Sequence, residues 1–275
     1  MSSKQIYWIN GEFIPADDAQ VSLRDVGVLR GYGVFDYLRT YDFKPFHLME
    51  HLTRLKSSAD QIGLSVPYDL EEIADSTEAL IQENGQPNVG IRFLVTGGES
   101  TNGFTPPERS NLAIMLEPIT VRPDTQYREG CKLITSRLQR EFPTVKSTNY
   151  IGAIMAMQEA EAAGAVEALY VDHNDEISEC TRSNFFIVQD GILKTAEKNV
   201  LPGITRNVLL SYAEEIVPVV IGAVFLDDLQ SADEAFITSS TKEVLPIVQI
   251  DDTTIGDGKV GPITQALGAR FKQEI

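Results

Sequence analysis

The chain has 275 residues, 43% of them apolar, enough for one large core or two of ordinary size, and two are expected. Its 40 acidic and 23 basic side chains leave a net charge of -17, a field that repels nucleic acid and anionic membrane surfaces but admits a small zwitterion. Only two cysteines occur, Cys131 and Cys180, far apart, which excludes a disulfide scaffold and points to a reducing compartment. In chain order, Ile6 to Ile9, the Asn10-Gly11 dipeptide and Phe13 to Pro15 read as a hairpin at a sheet edge. Residues 34–41 read as a strand. Residues 47–62 carry apolar side chains at helical spacing and stop at Gly63, and 68–83 repeat that pattern. Strands are expected again at 89–96 and 112–116, so the first part, 1–120, is α+β in character. The polar, proline-containing stretch 121–124 is the expected linker.

In the second part, 125–275, strands are expected at 131–136, 168–172, 184–189 and 235–238, and helices at 150–163, from about Thr205, and at 263–271. The N-terminal stretch MSSKQIYWINGEF lacks an apolar leader and no window approaches the length of a membrane span, so a cytoplasmic protein is expected. His47, His51 and His173 do not cluster with the cysteines, and no metal is expected.

Four groups of residues point to chemistry. Lys146, in FPTVKSTNYIG, stands on an irregular segment ahead of an apolar helix; desolvated there, its amine becomes a nucleophile toward an aldehyde. Glu179, in EISECTRSNFFIV, sits where a carboxylate can face a protonated ring nitrogen. Leu201-Pro202-Gly203-Ile204-Thr205 is a tight turn entering a helix, whose free N–H groups attract anions. Ser239-Ser240-Thr241 is a hydroxyl cluster after a strand, and Arg54 supplies a permanent charge for phosphate oxygens. Gly31-x-Gly33 is half of a dinucleotide fingerprint without the strand and helix it needs, and that reading is rejected.

From about Ile6 to Phe271 the chain resembles the fold-type IV pyridoxal-phosphate enzymes: D-amino-acid transaminases, branched-chain aminotransferases and aminodeoxychorismate lyases. Six ordered motifs carry the resemblance: RGYGVFDYLR at 30–39, EHLTRLKSSA at 50–59, KSTNY at 146–150, ExxxxNFF at 179–186, LPGITR at 201–206 and TSSTKEV at 238–244. It implies a two-domain α/β (α+β) fold, with a small N-terminal α/β domain and a larger C-terminal mixed-sheet domain. It further implies pyridoxal 5′-phosphate as cofactor, with Lys146 as the catalytic Schiff-base lysine and Glu179 on the pyridine nitrogen. Arg54, Ile204, Thr205 and Thr241 match the phosphate positions, Ser240 beside Thr241 is expected to bind the cofactor too, Asn184 belongs to the ExxxxN motif and is expected to bind the cofactor, and Tyr150 is placed for the cofactor's phenolic oxygen. A homodimer with its active site at the subunit interface is implied as well, acting on amino acids and 2-oxo acids, without nucleic acid or membrane.

The best-known D-amino-acid transaminases hold the substrate carboxylate with an Arg-x-His pair after a Val-Thr strand end. Here that place reads Gly97-Gly98-Glu99. An α-carboxylate still needs a cation, and a bidentate arginine is the most economical one. Arg30 and Arg182, beside the RGYGVFD and ExxxxN motifs, are the expected substitute clamp, with Tyr32 beside them. Arg92, on a strand, is expected to form a structural salt bridge instead. The resulting expectation is ping-pong transamination of D-amino acids with 2-oxoglutarate or pyruvate as acceptor. A branched-chain L-aminotransferase, an aminodeoxychorismate lyase and a ligand-binding module without chemistry are the alternatives.

Overall fold

The computed structural model describes residues 5–275. Residues 1–4, the head of the stretch expected to lack a leader, lie outside the described residues. The chain divides into two compact units: one runs to Thr120 and takes in Val145–Asn149, the other holds Val121–Thr144 and Tyr150–Ile275. This differs from a division into 1–120 and 125–275 at two places. Residues 145–149 belong with the first unit, because Phe35 N donates to Lys146 O at 2.9 Å and Thr148 N to Gly33 O at 2.9 Å, while Val145 is buried in that unit's core. The stretch read as linker also runs into a short helix that begins at Asp124.

The first unit comprises β1 (Ile6–Ile9), β2 (Glu12–Pro15), α1 (Val26–Arg30), β3 (Gly33–Tyr41), β4 (Lys44–Pro45), α2 (Leu48–Gln61), α3 (Leu70–Asn84), β5 (Val89–Thr96) and β6 (Asn111–Pro118). Its strands form a six-stranded sheet in the order β2-β1-β6-β5-β3-β4. Along β3 burial alternates: Val34, Asp36, Leu38 and Thr40 are buried, while Phe35, Tyr37, Arg39 and Tyr41 are half-buried, the period of two that a strand imposes on its faces. On α2 the buried positions Leu48, Leu52, Leu55 and Ala59 follow the helical period, and His51, Arg54 and Ser58 extend the same buried side. Leu52 and Leu55 are wholly buried, each contributing about 2 kcal/mol of apolar burial. The short helix α1 has no counterpart in the sequence reading. Asp25 caps it by accepting from Gly27 N at 2.7 Å, and Gly31 closes it in the left-handed region at φ 67. Gly31 is thus a helix stop, consistent with rejecting a dinucleotide loop.

The second unit comprises α4 (Asp124–Glu129), β7 (Cys131–Ser136), α5 (Ile151–Ala162), β8 (Glu167–Val171), β9 (Glu176–Cys180), β10 (Asn184–Gln189), β11 (Ile192–Thr195), α6 (Ile204–Ala213), β12 (Val219–Ile221), β13 (Val224–Phe225), β14 (Glu234–Ser239), β15 (Glu243–Ile250), β16 (Thr253–Thr254) and α7 (Pro262–Phe271). Its ten-stranded sheet is mixed, with β7 parallel to both β8 and β15. The order β10-β14-β15-β7-β8-β9 returns to β10, because Asn184 pairs with Glu179 and closes the ring. Phe185, Ile187, Ile237, Leu245, Ile247 and Leu169 fill the core beneath it. The eight-residue strand β15 is missing from the sequence reading because Pro246 interrupts it, yet Pro246 sits opposite Phe236 in the ladder. Among the described residues, no helix is long and apolar enough to cross a membrane.

Candidate active site

In the first unit, Lys146 is held at its backbone and half-buried. Its N–H donates to Ser58 Oγ on α2 at 3.1 Å, its carbonyl accepts from Phe35, and its Nζ stands 4.6 Å from the centroid of the Phe35 ring. An ammonium over an aromatic face gains electrostatic attraction from the ring. The segment carrying Lys146 is therefore fixed as an extra bridge on β3, through Val34 and Ser147.

Arg54, on the same buried side of α2 as Ser58, faces Asp36 of β3. Its Nε donates to Asp36 Oδ2 at 2.8 Å and its Nη2 to Oδ1 at 2.8 Å, and His51 Nδ1 donates to Oδ1 at 2.7 Å. Two parallel bonds from one guanidinium to one carboxylate fix its plane as well as its position. Burial alone would raise the Asp36 pKa, but the charges and hydrogen bonds of Arg54 and His51 outweigh it and hold the carboxyl well below its ordinary range. Burial, aided by the positive charges of Arg54 and Lys146, pushes the His51 imidazole below its ordinary value despite the Asp36 carboxylate. His51 is accordingly a neutral donor at pH 7.

In the second unit, Glu179 lies on β9 at the closure of the ring and is buried. Its Oε1 accepts from Arg140 Nη1 at 2.6 Å, and its Oε2 accepts from Leu201 N at 2.9 Å and Asn184 Nδ2 at 3.3 Å. Asn184 also donates to Leu201 O at 2.9 Å. The carboxylate is thereby tied to the turn that opens α6. A Cβ on Gly203 would meet Asn184 Oδ1 at 2.0 Å, so that turn admits only glycine while Asn184 stays. Gly203 caps α6 without any side-chain hydrogen bond to the helix start, leaving the N–H groups of Ile204 and Thr205 without a side-chain cap. Ser240 and Thr241 form the turn between β14 and β15, with Lys242 N donating to Ser239 O at 3.1 Å. Ser239 Oγ and Thr238 Oγ1 are buried there without a protein partner. A helix start, adjacent hydroxyls, unpaired buried hydroxyl oxygens and an anchored carboxylate are the donor set that a phosphorylated pyridine requires.

The remaining expected residues are placed as follows. Tyr150 is half-buried at the start of α5 and, with Arg140 and Glu179, lies within electrostatic reach of Tyr170, whose phenol burial pushes far up. Tyr32 is half-buried and donates to Ile62 O at 2.9 Å. Arg30 is exposed, with Nη1 donating to the neighbouring Leu29 O at 2.8 Å. Arg182 has a half-exposed side chain, and its backbone N–H donates to Glu167 Oε2 at 2.8 Å. Arg30 and Arg182 belong to different units. Arg92 pairs with Glu117, its Nη2 donating to Oε2 at 3.0 Å.

Three residues escape the sequence reading. Arg140 binds Glu179 and also donates to Pro143 O at 2.9 Å; only its closeness to Lys146 in the chain marks it. Glu167 is wholly buried and ion-paired with Lys242. Lys242 stands inside the quoted TSSTKEV motif, while Glu167 opens an apolar strand and reads from sequence as its solvated end. Among the described residues, no cluster of three or more His, Cys, Asp or Glu could hold a metal ion.

Residues 33–250 match the family model of class IV amino-transferases. A D-alanine aminotransferase of Staphylococcus epidermidis is 35% identical, covering 98% of this chain and 97% of its own. A protein of Methanocaldococcus jannaschii, provisionally named a branched-chain-amino-acid aminotransferase, is 36% identical, covering 96% and 94%. Among solved structures, the branched-chain aminotransferase of Escherichia coli superposes with a TM-score of 0.92 at 28% identity, over 98% of this chain and 94% of that one. A T.th. branched-chain aminotransferase solved with pyridoxamine 5′-phosphate gives a TM-score of 0.91 at 29% identity, over 99% and 94%.

Proposed function

The chain belongs to the class IV aminotransferase family, and from that premise we propose that it moves the amino group of a D-amino acid to 2-oxoglutarate or pyruvate in a ping-pong cycle. It is a pyridoxal-phosphate-dependent aminotransferase of fold type IV. The cofactor, when bound, supplies an electron sink for the charge left at the substrate Cα.

In this reading Lys146 Nζ would hold the cofactor and, once released from it, would take the proton from the substrate Cα and pass it to the cofactor's C4′. Glu179, fixed by Arg140, Leu201 N and Asn184, presents its carboxylate to the ring nitrogen and keeps that nitrogen protonated. The N–H groups of Ile204 and Thr205 and the hydroxyls of Thr205, Ser240 and Thr241 would hold the phosphate, and the guanidinium of Arg54 would supply its counter-charge. Tyr150 would donate to the phenolic oxygen.

The D-substrate reading is carried by the near full-length similarity to D-alanine aminotransferases. At the place where the best-known D-amino-acid transaminases carry the Arg-x-His pair, a Cβ on Gly97 would meet Val26 Cγ2 at 2.4 Å and Tyr32 Cδ1 at 2.6 Å, and in this reading the substrate carboxylate is gripped from elsewhere. In this reading Arg30, two positions before Tyr32 in the chain, and Arg182 serve as that clamp. The second reading, a branched-chain L-aminotransferase, is favoured by the similarity to the Methanocaldococcus jannaschii protein and to the Escherichia coli structure.

Single-turnover half-reactions decide between the two readings. D-Alanine or D-glutamate should bleach the visible cofactor band faster than L-leucine, and the reverse order sinks the D-reading. Lys146→Ala should abolish both the band and turnover; a protein that stays colourless with added cofactor before mutation removes the reaction altogether.

A homodimer completes the reading. On α5 the apolar side chains Ile151, Ile154 and Met155, at positions i, i+3 and i+4 of one face, are 71%, 57% and 58% exposed, a stripe that a second copy would cover. Light scattering at twice the chain mass is the expected result. The reading places the enzyme in the cytoplasm, in keeping with its two buried free cysteines.

A further inference from the structure

We propose that the buried Glu167–Lys242 ion pair is a positioning device that couples two loops of the second unit, setting substrate and cofactor affinity together. One loop is the turn 181–183 between β9 and β10, which presents Arg182. The other is the turn between β14 and β15, which presents Ser240 and Thr241. The inference rests on the functional reading given above for Arg182 and Thr241.

Glu167 opens β8 with no solvent exposure, and its two oxygens collect donors from both loops. Oε1 accepts from Lys242 Nζ and from Ser183 Oγ at 2.8 Å. Oε2 accepts from Thr181 Oγ1 at 3.0 Å and from Arg182 N at 2.8 Å. Every residue of the turn 181–183 therefore gives one donor to a single carboxylate, and the residue following Thr241 gives the counter-charge. Lys242 is itself buried, and its backbone is fixed by Lys242 N on Ser239 O at 3.1 Å and by Tyr127 Oη donating to Lys242 O at 3.2 Å.

A well-packed apolar pair in this place would serve stability as well or better, because taking two charges out of water offsets most of their attraction. The ion pair with three added donors does what an apolar pair cannot: it fixes direction. Displacing Lys242 shifts the hydroxyl turn and the Arg182 backbone together, since both end on one carboxylate. Arg182 and Thr241 touch ligand in the proposed reaction; Glu167 and Lys242 act only through them.

The test uses the full-length chain, prepared without cofactor and then titrated with pyridoxal 5′-phosphate. The double variant Glu167→Gln/Lys242→Met removes both charges, so no lone buried charge is left, and the unfolding midpoint of the cofactor-free protein should stay within a few degrees of wild type. Its Kd for pyridoxal 5′-phosphate and its half-saturation by D-alanine in single turnover should both rise about tenfold, the order of effect that a small misplacement of binding groups produces. A folded double variant with both constants at wild-type values overturns the coupling.

Ser183→Ala removes one neutral donor to Glu167 and leaves no charge unpaired. It should raise half-saturation by D-alanine about threefold, the scale of one lost hydrogen bond. Should the double variant fail to fold, an unchanged Ser183→Ala overturns the proposal by itself. Thr241→Ala, measured alongside, isolates the underlying reading: an unchanged cofactor Kd there removes the phosphate role of Thr241. A raised Kd in Thr241→Ala beside an unchanged double variant removes only the coupling.

Discussion

Each unit contains a fully buried carboxylate, and the two are neutralised by different means. Asp36 of the first unit is gripped by the Arg54 guanidinium at both oxygens and by the His51 imidazole. Glu167 of the second unit has the Lys242 ammonium and three neutral donors from the turn 181–183. The first arrangement contains a titratable reserve: His51 is neutral while Arg54 is present and can take a proton if that charge is lost. In the second, the next cation, Arg182, stands 4.0 Å away with a half-exposed side chain. A buried acid with a histidine in contact tolerates loss of its main cation better than one that relies on a single lysine.

Lys242→Met should therefore be the most damaging single charge deletion, at about 3–5 kcal/mol, the usual cost of leaving one member of a buried pair alone, measured by urea denaturation of the cofactor-free protein. Arg54→Met should cost less than that at pH 8, and less again at pH 6. With Arg54 absent, Asp36 dominates the surroundings of His51 and raises its pKa in the folded state. A raised folded-state pKa contributes stability that is full below the unfolded value and lost as pH rises through the folded one. If Arg54→Met is as unstable at pH 6 as Lys242→Met, the difference between the two clusters disappears.

The intact protein probes the same difference by acid. The folded-state pKa of His51 is below its ordinary 6.5, so the unfolded chain binds the proton first and stability declines as pH falls below about 6.5. For Glu167, burial would raise the pKa, but Lys242, Arg182 and the hydrogen bonds bring it down to about 2 from 4.5. Its contribution is present above 4.5 and lost as pH falls from there toward 2. Chemical denaturation across pH 7 to 3 should show both phases, and His51→Gln should remove only the upper one. Loss of both phases together would mean that the carboxylates and His51 do not act separately.

The two clusters were also unequally legible in the sequence. Arg54 is readable because it stands on a helix of clear periodicity beside the buried Leu55 and Ser58, so its direction follows from the 3.6-residue turn. Lys146 and Glu179 are readable only as members of ordered motifs, since a loop lysine and a strand-end acid have no periodic signature. Glu167 was illegible: it begins the strand EALYV, where an acid looks like a solvated end, yet all five positions of β8 are buried. That happens because β8 lies between β7 and β9 within the closed ring, a long-range fact that no local pattern contains. Arg140 was illegible for a related reason, because its partner stands 39 positions away.

Arg140→Gln should be a milder change than any removal of a fully buried charge, since Glu179 keeps Leu201 N and Asn184 and Arg140 is partly exposed. The expected outcome is a fall in kcat of about tenfold with little change in unfolding midpoint. An unaltered kcat would mean that Glu179 is held in place without Arg140.

The smallest effect separates neutral donors from charges within the Glu167 cluster. Thr181 gives its hydroxyl to Glu167 Oε2 at 3.0 Å and its backbone N–H to Ala168 O at 3.0 Å. Thr181→Val keeps the side-chain shape and the backbone bond and deletes only the hydroxyl. The carboxylate retains Lys242, Ser183 and Arg182 N, so the loss should be about 1.5 kcal/mol, the low end for one hydrogen bond to a charged group, and should not change the acid profile above pH 4.5. A loss as large as that of Lys242→Met would show that the hydroxyls, and not the lysine, keep Glu167 ionised, and the contrast with the arginine-held Asp36 would then rest on hydrogen-bond count instead of charge.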